Sequence, residues 1–213
     1  MPAYSFWPGS ITLPSDLSQI LRKLQRWTKE DGIEYEVSVF YADDDIVLTP
    51  VNRGTKWNVK VRHKVSLRYE TLNEYRCQKI VEADNKVILR KQLPLSSIPK
   101  VPTVHLITNF HTHPPDTTRD GEARYSFFST QDMNILLQST NFCMGLACDT
   151  LWMVCKCDKT IGMIGENGQN TLQQISSRFF HGDEPVATLR DEMSRWGMVI
   201  YNGRIGNELK RIT

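Results

Sequence analysis

Apolar positions near the start of the chain recur at helical spacing. Leu17, Ile20, Leu21, Leu24 and Trp27 follow an i, i+3, i+4, i+7, i+10 rhythm, which gathers them on one face of a helix that Ser15 can cap and Gly32 can end. The period then changes to two. Residues 34–41 and 46–51 alternate, are rich in β-branched side chains and flank Ala42-Asp43-Asp44-Asp45, predicting a hairpin. Across 57–69 the odd positions are largely apolar while Lys60, Arg62, Lys64 and Arg68 take the other side, the pattern of a half-buried strand. Residues 75–82 and 86–93 predict a second hairpin about Asp84-Asn85, before a Pro/Ser-rich connection at 94–102. A buried strand at 104–110, a polar loop through Ser126 and a helix from about 130 to 140 come next. Residues 151–157 and 160–164 suggest a hairpin across Asp158-Lys159, helical patches fall at 172–179 and 186–196, and Asn202-Gly203 is the dipeptide favoured by type I′ turns. Helices towards both ends around a strand-rich middle predict an α+β fold of three-layer α/β/α type, with a mixed central sheet flanked by helices.

Length and charge narrow the class. With 213 residues, 40% hydrophobic and 23% charged, the chain buries one substantial core, so 1–213 is read as a single domain with its core at about 15–165 and a C-terminal extension of helix and hairpin at 166–213. Lys and Arg number 26 against 24 Asp and Glu, a formal charge of +2, so no whole-molecule field draws nucleic acid or an anionic membrane. Spanning helices and a signal peptide have no counterpart in the apolar runs, which predicts a cytoplasmic protein. Cys77, Cys143, Cys148, Cys155 and Cys157 are odd in number and contain no C-x-x-C, so they read as reduced thiols; Cys155 and Cys157 would share one strand face as small buried hydrophobes.

Chemistry concentrates at the end of the 104–110 strand. His111 and His113 are two apart, so in extended chain both imidazoles project to one face, and Pro114 stops the strand just beyond them. Ser129-Thr130-Gln131-Asp132 opens the next helix and supplies a carboxylate that can fold back; the same four residues also fit a capping box. Two neutral imidazoles and one carboxylate form a set suited to zinc that leaves a fourth position for water, the arrangement of catalytic sites.

The motif H-x-H-P followed by S-x-x-D, with a Glu on an earlier strand after the first helix, resembles the signature of the JAMM metalloproteases, the catalytically competent form of the MPN domain. The likeness spans roughly residues 15–165. It implies an MPN-like fold and amide hydrolysis, with zinc bound by His111, His113 and Asp132. A Glu would shuttle the proton and Ser129 would stabilise the oxyanion. It also implies a ubiquitin-like protein or its conjugate as substrate. Glu36 fits the role of base best, because Glu36-Val37-Ser38 looks most like the family's Glu followed by apolar and small residues. Glu34, on the same strand face about 7 Å away, stays open because the family's glycines are absent. The spacings between His113 and Asp132 and between Glu36 and His111 are both longer than the family's; the extra stretch would place Arg119, Arg124, Tyr125, Phe127 and Phe128 beside the cleft or simply pack its aromatics down.

Other readings carry less. A metal-dependent hydrolase barrel needs about 250 residues and more downstream ligands. A non-catalytic scaffold of the same fold has no use for the ligand set. Nucleic-acid binding rests on the Lys60, Arg62, Lys64, Arg68 face alone, which is also explained by solvation. His105, His63 and His181 read as core histidines.

Overall fold

The computed structural model describes residues 7–42, 45–56, 58–59, 65–72, 75–82, 87–93, 104–117, 123–124, 127–139, 141–164, 168, 170–174 and 186–213. A mixed α/β architecture results. Its main sheet has nine strands and curls towards a half-barrel. In spatial order these are β1 (Ser10–Ile11), β14 (Leu209–Arg211), β13 (Val199–Gly203), β12 (Leu151–Cys155), β11 (Cys143–Ala147), β8 (Val104–His111), β2 (Tyr35–Ala42) and β3 (Asp45–Leu48), with β4 (Asn52–Arg53) also on β2. β8 and β11 run parallel and the other pairs run antiparallel. A parallel pair needs a crossover, and helix α2 (Thr130–Gln138) lies on it, so the sheet topology itself delivers α2 beside the end of β8. β5 (Val65–Leu72), β6 (Tyr75–Glu82) and β7 (Val87–Leu93) form a separate three-stranded antiparallel sheet, and β9 (Asp116–Thr117) pairs with β10 (Ala123–Arg124).

Strand parity divides the core into two layers, one on each face of the main sheet. Val37, Val39, Phe110, Cys143, Leu151, Met153, Cys155, Val199 and Tyr201 pack against Leu17, Leu21 and Leu24 of α1 (Ser15–Asp31). Their alternates Met144, Leu146, Val154 and Ile200 meet Met133, Leu136 and Leu137 of α2, with Phe127, Phe128 and Met193, the last from α4 (Val186–Arg195). Each fully buried leucine on α1 contributes about 1.5–3 kcal/mol. α1 stops where the sequence predicts, at Gly32, whose φ of 66° is the left-handed conformation an L side chain resists. Its N-cap is Pro14 rather than Ser15, and Asp16 Oδ1 accepts the Leu17 N–H instead.

Three expectations need correction. Residues 158–163 are a helix, α3 (Asp158–Met163), not the second strand of a hairpin. Cys157 N–H donates to Thr160 Oγ1 at 3.1 Å and the Thr160 hydroxyl donates to Cys157 Sγ at 3.8 Å across its first turn, and that local capping outweighs the β-branched residues. Cys157 therefore lies outside β12, half-buried, and shares no strand face with the fully buried Cys155. Asn202-Gly203 does not make the last turn: both belong to β13, and the chain reverses at 204–207, where Asn207 N–H donates to the Arg204 carbonyl and Gly206 takes φ 89°. Of the strand expected across 57–69, residues 65–69 are strand, in β5, and residues 58–59 are not. Residue 57, residues 60–64 and the Arg68 side chain lie outside the described residues, and with them the basic face; so do residues 175–179 of the 172–179 patch.

Candidate metal centre

β8 and α2 together build the centre. His111 is the last residue of β8 and His113 follows by one step of the same parity; Phe110 faces α1, so both imidazoles face α2. The residue between them is pegged to the opposite face. Tyr35 N–H donates to Thr112 Oγ1 at 2.9 Å, Thr112 N–H donates to the Tyr35 carbonyl at 3.0 Å, and the Thr112 hydroxyl hydrogen-bonds that of Thr28 on α1. That fastening continues the β2–β8 ladder past its last pair and holds the histidines in extended spacing beyond the strand proper. Nothing in the sequence singles out Thr112 except its place inside H-x-H.

Asp132 comes from the first turn of α2, where the capping box forms as its sequence predicts. Ser129 N–H and Oγ–H both donate to Asp132 Oδ2, at 2.8 and 2.6 Å, and Asp132 N–H donates to Ser129 Oγ at 3.1 Å. These bonds fix the carboxylate plane. His111 Nε2 lies 3.3 Å from Asp132 Oδ1, His113 Nε2 lies 3.2 Å from Oδ2, and the two Nε2 atoms are 3.2 Å apart. All ligand atoms of the trio lie within 4.8 Å of one another, with both imidazoles buried.

The donor set tests well against a metal. Ligands about 2.0–2.1 Å from a tetrahedral ion stand about 3.3 Å apart, the separation seen here. Protons serve the trio poorly, because one on each Nε2 would oppose the other across 3.2 Å, whereas a divalent cation satisfies both nitrogens and the carboxylate together. Burial pushes the Asp132 carboxyl up, but the neighbouring His111 imidazole and hydrogen bonds from His111 and His113 outweigh it and hold the group well below the usual carboxylate range. An ionised carboxylate is the form in which aspartate ligates a metal.

Both candidate glutamates belong to this face. Glu36 is opposite His111 in the antiparallel register of β2 and β8, so their side chains project to the same side, and it is fully buried, with Ser38 Oγ donating to its Oε1. Glu34 is 8% exposed. Burial raises its pKa from the ordinary 4.5 to about 7; the His113 charge opposes the rise and the Asp132 charge adds to it. Neither is the surface carboxylate that a half-exposed strand would carry. Glu34 yields a stability prediction. Its folded-state pKa lies above the unfolded value, so its contribution is fully present below about 4.5 and is lost as pH rises through about 7. In metal-free protein, Glu34→Gln is expected to raise stability at pH 8, by at most about 3 kcal/mol, with no gain at pH 4.5; urea unfolding at the two pH values measures the difference.

Aromatics wall the centre. The Phe128 and His111 ring centroids are 6.0 Å apart, and Phe127 packs edge-on to Trp152 at 5.1 Å. Phe127 and Phe128 are buried, so these two loop aromatics pack down rather than line an open cleft. Arg119, Tyr125 and the Arg124 side chain lie outside the described residues, as do His63 and His181. His105 is exposed rather than a core histidine: the β2–β8 register shifts between Val39 and Phe40, which breaks the parity linking it to His111 and sets it opposite the exposed Tyr41. Cys148 and Lys156 were not singled out by sequence. Burial pushes the Cys148 thiol up to about 12 against a hydrogen bond with the His113 backbone, so it stays protonated beside the site.

Comparison with protein-family models, with curated proteins and with solved structures finds no match to this chain. The centre is therefore read from its own chemistry. No helix among the described residues is long and apolar enough to cross a membrane.

Proposed function

We propose that this chain is a cytosolic, zinc-dependent isopeptidase or peptidase of JAMM type that hydrolyses an amide bond at the C-terminus of a ubiquitin-like modifier, in deconjugation or precursor processing. One observation carries the reading: His111, His113 and Asp132, from separate elements, turn their donor atoms onto one point while Glu36 stands in register across from His111. The resemblance in H-x-H-P and S-x-x-D supplies the substrate class, and the helix layers on both faces of a mixed sheet accord with an MPN-like fold.

His111, His113 and Asp132 would hold the zinc. Bound zinc lowers the pKa of water towards about 7 and polarises a carbonyl oxygen. Glu36 takes the proton of the attacking water on its carboxylate and returns it to the nitrogen of the leaving amine, so that the amide C–N bond breaks and a carboxylate and an amine result. Ser38 holds Glu36 in place for both transfers. Ser129 does two things in turn. Its hydroxyl orients Asp132 before substrate arrives, and on turning to the substrate oxyanion it leaves Asp132 still held by the Ser129 backbone N–H.

The test pairs metal analysis with a substrate screen. Purified chain is expected to carry one zinc, and to cleave one of a panel of ubiquitin-like fusions bearing a C-terminal extension. A chelator such as 1,10-phenanthroline should stop the cleavage and added zinc restore it. Cleavage indifferent to chelator, or a chain that takes up no zinc, would remove the proposal.

A further inference from the structure

The short helix that carries Asp132 is fastened at its far end by a buried cation. α2 ends at Gln138 without the usual devices: its C-cap Ser139 is extended rather than a left-handed glycine, and the last turn has no basic residue. Its final carbonyls must find donors elsewhere. Lys156, just beyond the end of β12, supplies two such bonds, Nζ donating to the Leu136 carbonyl at 2.6 Å and to the Ser139 carbonyl at 2.7 Å, while the Ser139 hydroxyl also donates to the Leu136 carbonyl at 3.3 Å. Lys156 is 4% exposed. Lysine is almost never so buried unless paired, and an apolar residue here would avoid the desolvation cost, so the ammonium is retained for what it does at the helix end. The negative end of the helix dipole favours a cation at this point.

A second tie joins the same end of α2 to the histidine strand. Asn141 Nδ2 donates to Asn109 Oδ1 at 3.4 Å, and Asn109 precedes His111 by two residues on the same face of β8. Leu136 is one turn from Asp132, about 6 Å along the axis. A shift at the clamped end therefore arrives at the ligand end almost undiminished, whereas a ligand set tolerates only about 0.5 Å.

We propose that Lys156 is a positioning residue for the metal centre: by clamping the last turn of α2 it sets where the Asp132 carboxylate meets His111 and His113. This rests on reading that trio as a zinc site. Lys156 touches neither the ion nor the substrate, so its effect is read in the metal itself.

The experiment titrates the metal-stripped full chain with zinc against a chromophoric chelator and records the visible d–d spectrum of the cobalt(II) form. Lys156→Met is expected to weaken zinc at least tenfold and to alter the cobalt bands, while Lys156→Arg, which keeps the charge and the donors, stays within about threefold of wild type. Leu209→Ala, a core truncation on the α1 side of the sheet, controls for stability: it lowers the unfolding midpoint but leaves zinc affinity and the cobalt bands in place. If Lys156→Met does not fold, Lys156→Gln is read in the same way. Wild-type affinity and spectrum in the Met or Gln variant overturn the proposal, as does an Arg variant as weak as Met, or a Leu209→Ala chain that loses zinc equally. A wild-type chain that takes no zinc at all overturns the underlying reading, a separate result.

Discussion

His113→Ala is expected to remove zinc and hydrolysis together. The His113 imidazole stands 3.2 Å from both the His111 nitrogen and the Asp132 carboxylate and is buried, so alanine leaves two ligands facing a small cavity. Loss of an outer partner of a ligand alone costs about 10–100-fold in metal affinity, so loss of the ligand itself should exceed 100-fold. The metal-free protein should nevertheless remain folded, because the sheet and both core layers are built without the imidazole and Thr112 keeps its bonds to Tyr35. Metal analysis, an activity assay and a thermal melt on one preparation separate these outcomes. Retention of stoichiometric zinc would show that the histidines do not form the centre.

Glu36→Gln is expected to do the reverse: zinc stays and turnover falls by about 10²–10⁴, the range for removing a general base. The substitution is nearly isosteric, and the amide oxygen can still accept the Ser38 hydroxyl, so the fully buried site loses its proton acceptor without losing its shape. Glu34→Gln discriminates between the two strand carboxylates. Should Glu36→Gln turn over normally while Glu34→Gln does not, the base is Glu34 and the metal chemistry stands. If neither matters, proton transfer in this chain has another agent.

Some of this was readable from residues alone, for identifiable reasons. α1 was legible because an amphipathic stripe ends on a glycine, and both signals are local. The histidine pair and the capping box were legible for the same reason: parity over two residues and reciprocal bonds over three need no knowledge of the rest of the chain. What was hidden depends on distant partners. The sequence places Glu34 and Glu36 on one face, but only the pairing of β2 with β8 puts that face beside His111 and buries it. Lys156 falls inside the 151–157 stretch that reads as a strand, and nothing local marks it; its burial comes from the carbonyls at the end of a helix 17 to 20 residues earlier. Residues 158–163 were misread because Thr160 and Ile161 favour strands until a side chain at position 157 caps a helix. His105 was misjudged because a register shift between β2 and β8, set by the pairing and invisible in β8 alone, breaks the parity it would share with His111.

The pairing of β1 with β14 joins Ser10 to Lys210 and Ile11 to Leu209, closing a loop that spans nearly the whole chain. Such a contact carries a large closure entropy and cannot form on the ribosome until the last strand has emerged, so it belongs late in folding. Backbone amides of β1 and β14 should then open first and exchange with deuterium sooner than those of β8 and β11. The main sheet would unzip from the seam between β1 and β14 while the histidine strand is still closed.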